Sequence, residues 1–169
     1  MKIAINAGHT IKGKGYGAIG YINESEETRK IVNELLVHFR RKGHDAINCT
    51  VDISDNYLHK TVELANKSNA DLFISIHFNA GKGKGTEVYT WKGKKLNYAK
   101  NICDELHKLG FANRGVKDGS NYYVIKKTKM TSLLIEICFV DNKLDVDLYK
   151  ELGPKLIALS IYDAIRKEV

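Results

Sequence analysis

The chain has 169 residues, 43% hydrophobic and 28% charged, with a net charge of +7. That length suits one domain with a real buried core. No apolar run approaches the ~20 residues of a membrane-spanning helix, so no membrane insertion is expected. The three cysteines, Cys49, Cys103 and Cys138, lie far apart without C-x-x-C spacing. This argues against a disulfide framework or a thiolate zinc site and leaves histidine and carboxylate as ligand types.

Lys2 to Gly8 reads as a first strand. GYGAIG, residues 15–20, then fits G-x-G-x-x-G, but His9 to Lys14 intervene and no helix starts after Gly20. The dinucleotide motif needs its glycines in the turn leaving the strand, so the stretch reads as a flexible glycine-rich surface loop. Asn23, with Glu26 three residues on, has capping-box spacing, and Val32, Leu35, Leu36 and Phe39 share one face of the helix that follows. Gly43 stops it, and 44–50 is a second strand. Asp55 or Asn56 caps another helix carrying Leu58, Val62 and Ala65. The nearly continuous apolar run 71–77 suits a central strand buried on both faces. Segment 85–91 alternates like a strand, 97–109 has helical spacing, and 121–126 and 132–140 read as further strands. The chain ends in helical segments, with Pro154 near the start of the last one. Together these give an α/β fold: a single domain with a mostly parallel twisted sheet of about six strands, flanked by helices on both faces.

Three polar residues stand out. His9 follows the first strand, His77 closes the most apolar one, and Glu136 interrupts the apolar run Leu-Leu-Ile-Glu-Ile-Cys-Phe-Val. A buried carboxylate needs a cation, a metal or a cleft. Each residue alone has a structural explanation: a strand-end histidine, or a glutamate paired with one of many lysines. In a mostly parallel sheet, however, sites form beyond the C-terminal strand ends, which is where both histidines fall. Two imidazoles and a carboxylate form a catalytic zinc set, and a further glutamate would take a proton from water. The second carboxylate should come from Asn-Glu-Ser-Glu-Glu, residues 23–27, where position slightly favours Glu24 over Glu26. Glu26 and Glu27 also suit capping and the helix dipole.

The segments IAINAGHT, Asn23-Glu24 at a helix start, SIHFNA (75–80), GTEVYT (85–90) and LLIEICFVDN (133–142) occur in this order along nearly the whole chain. This pattern resembles the zinc-dependent N-acetylmuramoyl-L-alanine amidases of the amidase-3 type, particularly catalytic domains of clostridial phage endolysins. RGVK (114–117) resembles that family's segment before the penultimate strand. The resemblance implies His9, Glu24 and His77 as ligands of one Zn2+ and Glu136 as the catalytic carboxylate. The implied reaction is hydrolysis of the amide between N-acetylmuramic acid and L-alanine of the peptidoglycan stem peptide. Asn79 is a candidate substrate contact or a turn residue. Thr61 and Thr131 stand where the family commonly has Arg and Pro.

These residues leave two rival readings, a zinc peptidase of similar fold and a basic module holding an anionic polymer. The second leaves Glu136 and both histidines without a role. Lysines recur beside glycines in KGKG (12–15), GKGKG (81–85) and KGKK (92–95). They lack the patterning of a nucleic-acid module, so no nucleic-acid partner is expected; anionic wall polymers fit better. The N-terminus has no apolar h-region, so cytoplasmic synthesis without a signal peptide is expected, with action at the wall after release. A monomeric catalytic domain over 1–169, with no separate wall-binding domain, is the expected organisation.

Overall fold

The computed structural model describes residues 1–168. One sheet contains β1 Lys2–Ala7, β2 Asp45–Asn48, β3 Leu72–Asn79, β4 Thr86–Thr90, β5 Asn113–Asp118 and β6 Thr131–Phe139. The strand order is β2-β1-β3-β6-β4-β5. Four of the five pairings are parallel, and β4 meets β6 antiparallel. β1, β3 and β6 lie inside the sheet with both faces covered, which accounts for their largely apolar sequences.

Five helices complete the α/β fold: α1 Glu24–Arg41, α2 Tyr57–Lys67, α3 Asn97–Lys108, α4 Tyr123–Lys127 and α5 Lys143–Arg166. On one face α1, α3 and α5 bury Leu35, Ile102 and Ile161 against Ile5, Ile74 and Ile135. On the other, α2 and α4 bury Val62, Ala65, Val124 and Ile125 against Phe73 and Leu134. Side chains alternate along a strand, so Phe73, Ser75 and His77 of β3 and Leu134 and Glu136 of β6 share this second face. With 11 and 5 residues, α2 and α4 are too short to cover it fully. A cleft remains over the C-terminal ends of β3 and β6.

Several expectations need correction. Residues 121–126 do not form a strand: Tyr123–Lys127 is helical. The aromatic and β-branched residues there favour a strand locally, but packing of Val124 and Ile125 onto the sheet decides the outcome. Arg114–Lys117 does not precede the penultimate strand but lies within it, as the half-exposed edge β5. Asn23 has the extended backbone of an N-cap but makes no side-chain cap. Its amide instead donates to Glu26 at 3.2 Å and to the Tyr16 hydroxyl. Pro154 does follow a helix break, since Gly153 (φ 73°, ψ 162°) interrupts α5. All three cysteines are buried and free, and no described helix is long and apolar enough to cross a membrane.

Candidate functional site

Each ligand candidate is delivered by a different element. His9 leaves β1 with φ 65°, a left-handed conformation uncommon outside glycine. Its carbonyl is held by Arg29 Nη2 at 3.0 Å, and Arg29 is anchored in turn on Ser25 and Asp52. His77 projects from β3. Glu24 is the first residue of α1 and is 2% exposed. Glu24 Oε1 lies 3.3 Å from His9 Nε2 and 3.2 Å from His77 Nδ1. The three ligand atoms lie within 4.8 Å of one another.

The surroundings fix which nitrogen of each ring faces inward. His9 Nδ1 donates to the Gly15 carbonyl at 3.0 Å, turning Nε2 toward Glu24. His77 Nε2 contacts Ser75 Oγ at 3.0 Å, directing Nδ1 to the centre. Glu24 Oε1 accepts the Phe78 N–H at 3.0 Å, and Oε2 accepts the Ala18 N–H at 2.9 Å. Two ring nitrogens and a carboxylate oxygen therefore converge, a donor set that could hold a metal ion. Zinc bonds of ~2.0–2.1 Å at a tetrahedral centre place neighbouring ligands ~3.3 Å apart. The two measured contacts to Glu24 match that spacing, so the donor set fits zinc. Second partners that hold ligand rings, here Gly15 and Ser75, are a common property of metal sites.

The electrostatics are mutually dependent. Burial opposes the charge on Glu24, but hydrogen bonds and charge from His77 and His9 outweigh it and hold the carboxyl far below its ordinary value. Burial likewise opposes protonation of His9, yet Glu24 and the Gly15 carbonyl raise its pKa overall. For His77 burial wins and its pKa falls.

Glu136 stands beside His77 in the β3–β6 register and opposite Glu87 in the β6–β4 register. It is 7% exposed and its Oε2 has no hydrogen-bond partner. Among the described residues no lysine or arginine pairs with it; the side chain faces the cleft. Burial first, then the charges of Glu24 and Glu87, push its pKa well above the ordinary carboxylate range. The cleft measures about 490 Å³. His9, Glu24, His77 and Glu136 line it, with Tyr57 and Thr61 of α2 on one wall and Tyr122 on another.

Asn79 also lines the cleft. Its Nδ2 donates to Glu87 at 2.7 Å and its Oδ1 accepts the Ala80 N–H at 2.8 Å. Glu26 is exposed, while Glu27 binds the Tyr149 hydroxyl and Lys30, so neither approaches the histidines. The glycine loop read as a flexible surface segment is built into the site, through Gly15 on His9 and Ala18 on Glu24. Arg29, Ser75 and Gly15 were missed in the sequence. Only Ser75, two residues before His77 on the same strand face, had a local signal.

The sequence matches the family model described as N-acetylmuramoyl-L-alanine amidase, Amidase_3, over residues 3–167. An uncharacterized protein of Clostridium perfringens is 40% identical over 99% of this chain and 52% of its own length. The N-acetylmuramoyl-L-alanine amidase CwlM of Bacillus licheniformis is 32% identical over 89% of this chain and 61% of its own length. The solved catalytic domain of CD27L endolysin, targeting Clostridia Difficile, superposes with a TM-score of 0.90 at 35% identity, covering 99% of this chain and 97% of that one. The chain spans about half the length of the first Clostridium perfringens relatives it matches, 52% in each case. With its family match running through nearly every described element, the chain belongs to the Amidase_3 family of N-acetylmuramoyl-L-alanine amidases.

Proposed function

We propose that this chain is the catalytic domain of a zinc-dependent peptidoglycan amidase, acting at the bacterial wall as part of an endolysin or autolysin. The bond cut is the amide joining the N-acetylmuramic acid lactyl group to L-alanine of the stem peptide. The observation that carries this reading is the convergence of His9 Nε2, Glu24 Oε1 and His77 Nδ1 next to a buried carboxylate with one unpartnered oxygen. A zinc ion bound there supplies Lewis acidity toward water and the scissile carbonyl. His9, Glu24 and His77 would hold it; Gly15 and Ser75 keep the two rings turned toward the centre. Glu136 takes a proton on Oε2 from the attacking water and returns it to the leaving nitrogen. Its raised pKa suits this role, since the carboxyl holds an accepted proton more firmly than an ordinary glutamate would until the amine departs. Asn79, with one amide hydrogen committed to Glu87, has a second available to a substrate carbonyl at the cleft edge.

Digestion of purified peptidoglycan tests the reading. New α-amino groups should appear on L-alanine, with no new reducing sugar ends. New amino groups on other stem residues would indicate a peptidase instead. New reducing ends would indicate a glycosidase, whose chemistry rests on a flanking carboxylate pair.

A further inference from the structure

A second cavity, of about 330 Å³, lies beyond α4 from the cleft. Trp91, Lys94, Lys126 and Lys129 surround it above Thr131 and Ser132, the first residues of β6. Ser132 precedes Glu136 by four residues, ~13 Å along a strand. The two hollows therefore share a sheet face without sharing a site. No aspartate or glutamate lines the cavity. None of the three lysines pairs with a carboxylate among the described residues.

Its walls are held in place from two sides. Trp91–Gly93 forms a 3-10 turn between β4 and α3. Thr90 Oγ1 donates to the Lys94 carbonyl at 2.8 Å, and the Lys92 N–H reaches Ser120 Oγ at 3.1 Å. Across the cavity, the Asn66 side chain donates to the Lys127 carbonyl at 3.1 Å and accepts the Lys129 N–H at 2.9 Å. Trp91, the one tryptophan of the chain, is left 37% exposed on this fixed turn.

We propose that this cavity binds a phosphate-bearing sugar or polyol chain. Lysine ammonium groups are point charges suited to phosphate oxygens. A flat indole packs against the C–H face of a sugar or polyol and shields it from water. The lysines come from two separate segments, which matches phosphates repeated along a polymer better than a single anion. Strand-like nucleic acid is a poorer fit, because such sites stack successive bases on several aromatics and one lines this cavity. Assigning the chain to the bacterial wall rests on the proposed function; the ligand chemistry does not.

The tryptophan provides its own reporter. Titration with poly(glycerol phosphate) should change Trp91 fluorescence saturably, with affinity falling as salt rises. Lys126→Glu and Lys129→Glu together should weaken binding at least ~10-fold, since two attractive charges become repulsive toward the polyanion. Trp91→Ala, followed by sedimentation, should weaken it as well. Lys42→Glu with Lys155→Glu makes the same charge change on exposed positions of the opposite helical layer and should leave binding nearly intact. Hydrolysis of a soluble muramoyl-peptide should be unchanged in all of these variants. Loss of that hydrolysis in the wild type, with binding retained, would count against the proposed function alone. Equal losses in the two double variants would overturn the cavity assignment in favour of diffuse charge. Tighter binding of an oligodeoxynucleotide through the same residues would overturn the ligand class.

Discussion

The Glu136 carboxylate is 7% exposed, with one oxygen unpartnered and the charges of Glu24 and Glu87 nearby. In metal-free protein this arrangement should cost stability. The folded-state pKa lies above the ordinary value of 4.5, so the folded chain binds the proton more tightly than the unfolded chain. The penalty is absent below about pH 4.5 and grows as pH rises toward the folded pKa. Glu136→Gln keeps the shape and removes the charge. In chelated protein at neutral pH it should raise stability by on the order of 1–3 kcal/mol. A domain of this size gains about 2–4 °C in Tm per kcal/mol. Melting curves should show the gain shrinking to nothing toward pH 4.5; a constant gain at all pH values would mean that charge is not its source. The same position separates chemistry from metal binding. Glu136→Ala should retain zinc near the wild-type level while amide hydrolysis falls about 100- to 10,000-fold. His77→Ala should lose both. Zinc content and hydrolysis measured on the two variants check this, and loss of zinc from Glu136→Ala would make Glu136 a ligand.

At the scale of elements, the site depends on β1 and β3 running side by side to a common end. Gly8 continues that pairing through its N–H to the Ile76 carbonyl at 2.8 Å. A Cβ on Gly8 would come within 2.3 Å of the His77 ring. That ring is held at both nitrogens and cannot move aside without losing Glu24 or Ser75. Gly8→Ala should therefore weaken zinc binding and cost about 1–3 kcal/mol of stability, as overpacking does. Zinc titration and denaturant melts measure the two effects; normal zinc affinity would mean that the ring has room to shift. The same geometry explains what was readable in the sequence. Buried strands such as β3 and β6 advertise themselves as apolar runs, and His77 and Glu136 stand out against them. Edge strand β5 has no such run, with only its middle residues half-buried. Helix α4 was masked by residues that locally favour strands. The loop at 15–20 acts through backbone groups, Gly15 carbonyl and Ala18 N–H, whose partners no side-chain pattern reveals. Likewise Arg29 serves His9 through the main chain, 20 residues away.

For the whole molecule, residues 9, 24 and 77 join the end of β1, the start of α1 and the end of β3 at one point. The unfolded chain holds these groups apart across 68 residues of sequence, so zinc should bind the folded state far better. Binding to the folded state alone stabilises it by RT ln(1 + [L]/Kd), ~2.7 kcal/mol when free zinc is 100 times Kd. At about 2–4 °C per kcal/mol, this predicts that exhaustive chelation lowers Tm by roughly 5–11 °C from that condition. Re-addition should restore the Tm, and above Kd it should rise with the logarithm of free zinc. The wild type and His77→Ala should then separate cleanly: the variant starts without the zinc-dependent increment and gains little from added metal. Glu136→Ala, which keeps all three ligands, should retain the increment while remaining poorly active. Differential scanning calorimetry across a buffered zinc series would decide the matter. A Tm that ignores zinc in the wild type would show that His9, Glu24 and His77 do not form the metal site, even if activity still depends on zinc. A zinc-dependent Tm that survives in His77→Ala would place the stabilising ion elsewhere on the chain.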